Sequence, residues 1–256
     1  FISMAEKEKL VGVQFEGKET YVKGVFGDVA RVYDKMNNIM TFGMVKGWQK
    51  FLLQKTGVQP GGSGLDVGTG TGEMAFLLAE KVGKNGRVVG LDLSKDMLDV
   101  AREKQKSLDL PCPVEFVEGN ALALPYEDDT FDTAISGFAL RNVTDIAKVI
   151  AEMRRVVKPG CKVVCIEIAE PKNPLFRFGF RIHFGKIVPW VGHFFDKGRS
   201  IQGRQPAYTW LRDSFQGFPY GEDMAAIFRQ AGLQEVRYYP KCLGSVNIYE
   251  GTKAER

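Results

Sequence analysis

The stretch Leu65-Asp66-Val67-Gly68-Thr69-Gly70-Thr71-Gly72-Glu73 sets three glycines at alternate positions, after a short apolar run and ahead of a helical pattern. Without a Cβ, such a turn lets the backbone come close to a bound nucleotide. Asp92 ends the next apolar run, 20 residues past Gly72. A carboxylate there accepts hydrogen bonds from both ribose hydroxyls. A tight strand-to-helix connection without a ligand would also need the glycines, but it leaves Asp92 in register unexplained. Glu73 narrows the choice of nucleotide. It stands where a dinucleotide fingerprint carries Gly or Ala, and a carboxylate beside a helix N-terminus repels a pyrophosphate. S-adenosylmethionine brings an ammonium and a sulfonium instead, to which Asp66 and Glu73 are complementary in sign. The expected cofactor contacts on this side are Asp66, Gly68, Gly70, Thr71, Gly72, Asp92 and Leu93.

Two later segments belong to the same edge. Glu118-Gly119-Asn120-Ala121 follows a third apolar run and Ser136-Gly137-Phe138 ends a fourth. Open parallel sheets bind ligands outside their carboxyl ends. Asn120, Ala121 and Ser136 therefore join the expected contacts, the Asn120 amide reading the adenine edge. As a turn former, Asn120 has a plainer alternative role.

The elements that must hold these residues follow from periodicity. Short apolar runs (65–67, 87–93, 114–117, 131–136, 162–168) alternate with helical patterns (73–81, 95–107, 146–157), which calls for an α/β, Rossmann-like, mostly parallel sheet with helices on both faces. Lys158-Pro159-Gly160 reads as the turn before the fifth strand. A helix at 222–231, stopped by Gly232, leads to an antiparallel C-terminal hairpin at 234–239 and 245–249, making seven strands. Ahead of the alternation, Val22, Val25, Phe26, Val29, Val32, Tyr33 and Met36 predict one helix over 20–38, and a second covers 44–55. The chain reads as a single domain over 1–256, with a helical extension at 20–56 and an insert at about 172–204 where the alternation stops.

Composition excludes several classes. The 35 Lys and Arg against 31 Asp and Glu leave +4, too little for a nucleic-acid-binding stripe. Four cysteines without a CxxC pair, and only His183 and His193 beside them, predict no metal site and suit a reducing cytoplasm. No apolar run reaches the ~20 residues of a membrane span. Phe1-Ile2-Ser3-Met4 lacks the marks of a secretory signal, and Met4 is the expected natural start.

Several separated segments resemble the C-methyltransferases of menaquinone and ubiquinone biosynthesis. They are Tyr33-Asp34-Lys35-Met36-Asn37 with Gly43 and Trp48, Leu124-Pro125-Tyr126, Phe131-Asp132, Leu140-Arg141-Asn142-Val143-Thr144-Asp145, Arg154 to Gly160, and Tyr208-Thr209-Trp210-Leu211. The resemblance implies a class I methyltransferase fold, S-adenosylmethionine as donor and the ring carbon of a prenylated quinol, typically demethylmenaquinol, as acceptor. It puts donor contacts at Thr71, Asp92, Asn120, Ala121 and Ser136, with Arg141 and Asn142 beside the acceptor ring and Tyr33 nearby. Departures stand at Val45, where the family carries His, and at Ile166-Glu167-Ile168-Ala169-Glu170-Pro171, where Glu170 replaces a Lys. The stretch 201–206 also lacks an expected acid. These leave a soluble phenolic acceptor as the alternative reading, and a non-catalytic S-adenosylmethionine-binding protein as a third.

Residue chemistry gives these three side chains work. A quinol carbon becomes nucleophilic when a ring hydroxyl loses its proton. A permanently charged Arg141 would hold the oxyanion, Asn142 the second oxygen, and Tyr33 would relay a proton. A salt bridge for Arg141 and a packed core tyrosine for Tyr33 are the structural alternatives. In the insert, Leu175, Phe176, Phe178, Phe180, Ile182, Phe184, Ile187, Val188, Trp190, Phe194 and Phe195 crowd among Arg177, Arg181 and Lys186. Such a segment would guide a prenyl tail from the inner face of a membrane; a lid or a homodimer interface would use the same residues.

Overall fold

The computed structural model describes residues 17–255 except 32, 42, 172, 189, 191–213, 215 and 216. The Tyr208-Thr209-Trp210-Leu211 match, the 201–206 departure, and His193, Phe194 and Phe195 of the insert lie outside the described residues.

The expected single helix over 20–38 is two helices, α1 (Lys18–Val29) and α2 (Tyr33–Met40), and α3 (Val45–Lys55) follows. The break has a packing reason. The Phe26 and Tyr33 rings meet edge to face with centroids 5.7 Å apart. Seven residues of straight helix would separate them by about 10 Å of rise. Turning the chain at Ala30 and Arg31 lets these two rings meet.

The alternating part runs β1 (Ser63–Val67), α4 (Glu73–Val82), β2 (Arg87–Asp92), α5 (Lys95–Gln105), β3 (Val114–Glu118), β4 (Phe131–Gly137), a 3₁₀ turn (Leu140–Asn142), α6 (Ile146–Val156) and β5 (Val157–Ile168). After the insert come α8 (Glu222–Gln230), β6 (Leu233–Lys241) and β7 (Val246–Lys253), with α7 (Pro174–Ile182) lying inside the insert. The sheet order is β3-β2-β1-β4-β5-β7-β6. Pairings are parallel through β5, while β7 runs antiparallel to both β5 and β6, as the expected hairpin requires. Successive strand residues face opposite sides. Ile135, Val164 and Ile166 thus pack with α3, α4 and α5, whereas Ala134, Val163 and Cys165 pack with α6 and α8.

Caps mark the helix starts: Ser94 for α5, Asp145 for α6, and Asn173 followed by Pro174 for α7. Lys158-Pro159-Gly160 does not precede the fifth strand but lies within it. Two steps along β4, from Phe131 to Thr133, match five along β5, from Val157 to Lys162. The excess is a bulge, and Gly160 supplies its φ of +74°.

In the insert, α7 continues into a π-turn, His183–Ile187. Phe180 and Phe184 turn inward, packing on the core and on each other at 4.5 Å. Leu175 (73% exposed), Phe178 (67%) and Trp190 (66%) face outward. Glu170, the charge-reversed position, is answered locally: Arg181 pairs with it, and Arg177 lies 3.8 Å away. Among the described residues no helix is long and apolar enough to cross a membrane.

Candidate active site

The strand order reverses between β1 and β4, so the connections leaving their carboxyl ends diverge and open a crevice. A cavity of about 410 Å³ fills it, roofed by α1 and α2. It is lined by nine of the ten expected cofactor contacts together with Tyr33 and Asn142; the tenth, Gly72, lies outside the lining and shapes the turn instead.

The glycine loop has the shape its composition predicts. Gly68 has φ +73°, and a Cβ there would sit 2.4 Å from that of Ala139. Gly72, at φ +87°, starts α4, and a Cβ would meet the Phe76 ring at 2.8 Å. The Gly68 and Thr69 amides donate to Leu91 O at 2.8 and 3.0 Å, clamping the loop to β2.

Three acids end up unequal. Asp92 accepts the Gly70 amide on Oδ2 and the Ser94 amide on Oδ1, both at 2.8 Å, which aims the carboxylate while leaving lone pairs on each oxygen for a diol. Burial raises its pKa. Asp66 is more deeply enclosed. The Thr69 hydroxyl donates to its Oδ2 at 2.7 Å, while Oδ1 is buried with no partner at hydrogen-bond geometry. Desolvation pushes its pKa up to about 7, against relief from Thr69 and the Ala75 amide and with reinforcement from Asp92. Glu73 departs from the sequence reading, because Lys104 pairs with it and also with Asp34 at 2.8 Å. Its charge is spent within the protein. Of the three acids, Asp66 is the one with a buried oxygen that has no partner, and this Oδ1 fits an ammonium group.

Asn120 makes the turn-forming bond considered for it and is tied to α1 as well. Its Oδ1 accepts the Leu122 amide at 2.9 Å, a turn-forming bond, while Nδ2 donates to Glu19 of α1 at 3.1 Å. Glu19 also accepts from Thr144 Oγ1 at 3.3 Å, and Lys23 pairs with Glu118 at 2.6 Å, so α1 is strapped to the connections that leave β3 and β4. Thr71 Oγ1 donates to Asp34 at 2.5 Å, and Ser136 Oγ to Val67 O at 2.8 Å. Val45, the other departure, is buried and lines the cavity.

Arg141 does not stand where an acceptor would touch it. It is absent from the cavity lining. Its side chain is 3% exposed and pairs with Glu167, itself 1% exposed, at 2.8 Å. The salt-bridge alternative is realised, as a buried pair rather than a flanking one. Tyr33 is brought into its field: burial raises the hydroxyl pKa, Arg141 lowers it, and Asp34 and Glu167 raise it. Glu19, Asp34, Lys104 and Glu167 were not legible as site residues, since their partners lie far away along the chain.

A family model described as the ubiE/COQ5 methyltransferase family matches residues 14–253. A demethylmenaquinone methyltransferase from Bacillus cereus (strain B4264) is 41% identical over 240 residues, covering 94% of this chain and 98% of its own. Among solved structures, a SAM-dependent methyltransferase from Aquifex aeolicus matches with TM-score 0.55 and 21% identity, covering 80% of this chain and 89% of its own. Phosphoethanolamine N-methyltransferase 2 from Haemonchus contortus, in complex with S-adenosyl-L-methionine, matches with TM-score 0.59 and 16% identity, covering 82% of this chain and 53% of its own. At such identities the two structures speak for the fold, whereas the family match spans nearly the whole sequence. The chain therefore belongs to the ubiE/COQ5 methyltransferase family and is an S-adenosylmethionine-dependent methyltransferase.

Proposed function

We propose that the chain methylates the ring carbon of a prenylated quinol of the demethylmenaquinol kind. The observation that carries this reading is one continuous cavity lined both by donor-side residues, Asp66, Asp92 and Asn120, and by Tyr33 and Asn142. The activity named for the 41% identical relative supports the acceptor class.

When bound, S-adenosylmethionine supplies an electrophilic methyl on a sulfonium. Asp92 holds the ribose hydroxyls, Asn120 and Ala121 the adenine, and Asp66 the ammonium. Gly68, Gly70, Thr71 and Gly72 shape the loop around the amino-acid end, while Leu93 and Ser136 complete the walls. In-line displacement then depends on holding the quinol carbon at near-attack distance. Asn142 orients a ring oxygen, and Tyr33 relays the quinol proton, accepting it as its own hydroxyl proton passes on to water. Arg141 contributes charge from behind the wall, stabilising negative charge on Tyr33 or the ring.

Acceptor delivery falls to α7. Leu175, Phe178 and Ile182 share one exposed face, Ile187 and Trp190 extend it, and exposed Lys186 adds a cation suited to anionic headgroups. This reading makes the enzyme peripheral at the cytoplasmic face of a membrane. A homodimer would hide the same face and would show as a concentration-dependent mass.

The test is transfer of labelled methyl from S-adenosylmethionine to reduced demethylmenaquinones of graded tail length. Turnover rising with tail length in lipid vesicles supports the proposal. Equal turnover on soluble tail-less phenols would favour the second reading, which Val45 in the cavity wall motivates, and transfer to no quinol at all would refute the acceptor class.

A further inference from the structure

Behind the acceptor half of the cavity lies an ion pair that donor binding does not use. Glu167 of β5 divides its oxygens between two neighbours: Oε1 accepts the Leu140 amide at 2.6 Å, and Oε2 accepts from Arg141 Nη1 at 2.8 Å. Both donors belong to the Leu140–Asn142 turn. Leu140 and Asn142 line the cavity, while Arg141 points away from it into the protein. We propose that Glu167 is a positioning residue for methyl transfer, gripping Leu140 and Arg141 together so that Asn142 is held at the cavity wall and the guanidinium is stationed near Tyr33. Its kinetic arm rests on the quinol reaction proposed above; its electrostatic arm does not.

The chemistry needs a carboxylate. Both neighbours are donors, and only a carboxylate accepts on both oxygens; glutamine would turn an NH₂ toward one of them. Burial makes the grip stiff, because neither ion can leave without stranding the other in a low-dielectric interior. The pair also sets the field at Tyr33, where burial raises the hydroxyl pKa, the cation opposes that rise and Glu167 partly cancels the cation. The hydroxyl further feels a hydrogen bond from Asn37, which lowers its pKa, and the charge of Asp34, which raises it. Cys165 of β5 and Tyr249 of β7 also lie within reach of Glu167, and burial raises both of their pKa values, so they stay neutral near pH 7.

The experiment is a double-mutant cycle on Glu167→Gln and Arg141→Gln, using the full chain. S-adenosylmethionine affinity is read by calorimetry and turnover on a short-tailed reduced demethylmenaquinone. Uniform fluorotyrosine labelling gives an acceptor-free readout: the position-33 resonance, assigned by its loss in Tyr33→Phe, is titrated with pH. Glu167→Gln should lower kcat by about 30-fold or more while donor affinity stays within about twofold, because the lost grip acts on the acceptor side. The double variant should lose less than the product of the two single losses, since the two residues act on the same turn. With the cation no longer offset, the position-33 midpoint should fall. Glu167→Asp keeps the charge with a shorter reach, so it should restore the midpoint and only part of the turnover. Should Glu167→Gln fail to fold, this aspartate variant carries the test, and full turnover in it overturns the proposal. Additive losses with an unmoved midpoint also overturn it. Wild-type inactivity on every quinol would instead sink the acceptor assignment, and the midpoint would still decide the role of Glu167.

Discussion

Donor binding should release a proton, because its partner for an ammonium is a carboxyl that is half protonated near neutrality. Asp66 lines the cavity with Oδ1 unmatched, and burial lifts its pKa to about 7. Only the ionised form pairs with an ammonium, and an α-amino group stays protonated below about pH 7.7. At pH 6 about one Asp66 in ten is ionised, so affinity should weaken about tenfold between pH 7.5 and 6. The stability of the donor-free protein runs the other way. A carboxyl whose folded pKa lies above its unfolded value of 3.8 contributes stability at low pH that is lost as pH rises through 7. From pH 5 to 8 that loss is about 2 to 3 kcal/mol, and the raised pKa of Asp92 adds to it with the same sign. Calorimetry in buffers of different ionisation enthalpy counts the protons directly. Asp66→Asn should abolish the release, flatten the affinity profile and weaken binding at pH 7.5 by about 1.5 to 3 kcal/mol, the worth of a hydrogen bond to a charged group. It should also remove the part of the donor-free protein's stability that is lost as pH rises from about 4 through 7. Affinity independent of pH over 6 to 7.5, with no buffer-dependent heat, would refute the reasoning.

Asp92→Ala should weaken S-adenosylmethionine binding by about 2 to 4 kcal/mol through loss of two charged-acceptor hydrogen bonds, read by calorimetry on the folded variant; undiminished affinity would remove Asp92 from the donor site. Glu19→Ala frees Asn120 and Thr144 from α1, so stopped-flow fluorescence should record faster donor association with little change in folding stability, and an unchanged rate would mean that α1 does not gate entry. Leu175→Asp and Phe178→Asp change exposed side chains, so thermal stability should hold while binding to anionic vesicles and turnover on long-tailed quinols fall. Phe180→Asp, by contrast, faces the core, and should lower the melting temperature whatever the tail length.

The glycine loop, Asp92 and the alternating elements were legible because each rests on contacts short in sequence. Gly68 and Gly72 need positive φ for turns only a few residues long, and strand faces follow a period of two. Even here, short range misled where two local signals competed. Helical spacing continues through 20–38, and only the meeting of Phe26 with Tyr33 shows why the helix must break. Pro159-Gly160 has turn composition, and the register of β4 against β5 makes it a bulge.

Charge partners were the least legible layer of the site. Glu73 and Asp66 are equivalent acids on paper, seven positions apart. Lys104, 31 residues beyond Glu73, neutralises one of them, while the interior buries the other with an oxygen left unpartnered. Arg141 is a cation wherever it sits, but its pairing with Glu167 across 26 residues turns it out of the cavity, and Glu19 reaches Asn120 across 101. Residue types and local spacing thus determined the fold class, the loop and the kind of cofactor, since backbone geometry and hydrophobic periodicity act over one or two turns of chain. Which acid keeps its charge for a ligand, which cation is buried and which aromatic faces outward were decided only when distant segments packed, because desolvation and ion pairing depend on what occupies the surrounding space and not on what comes next in the chain.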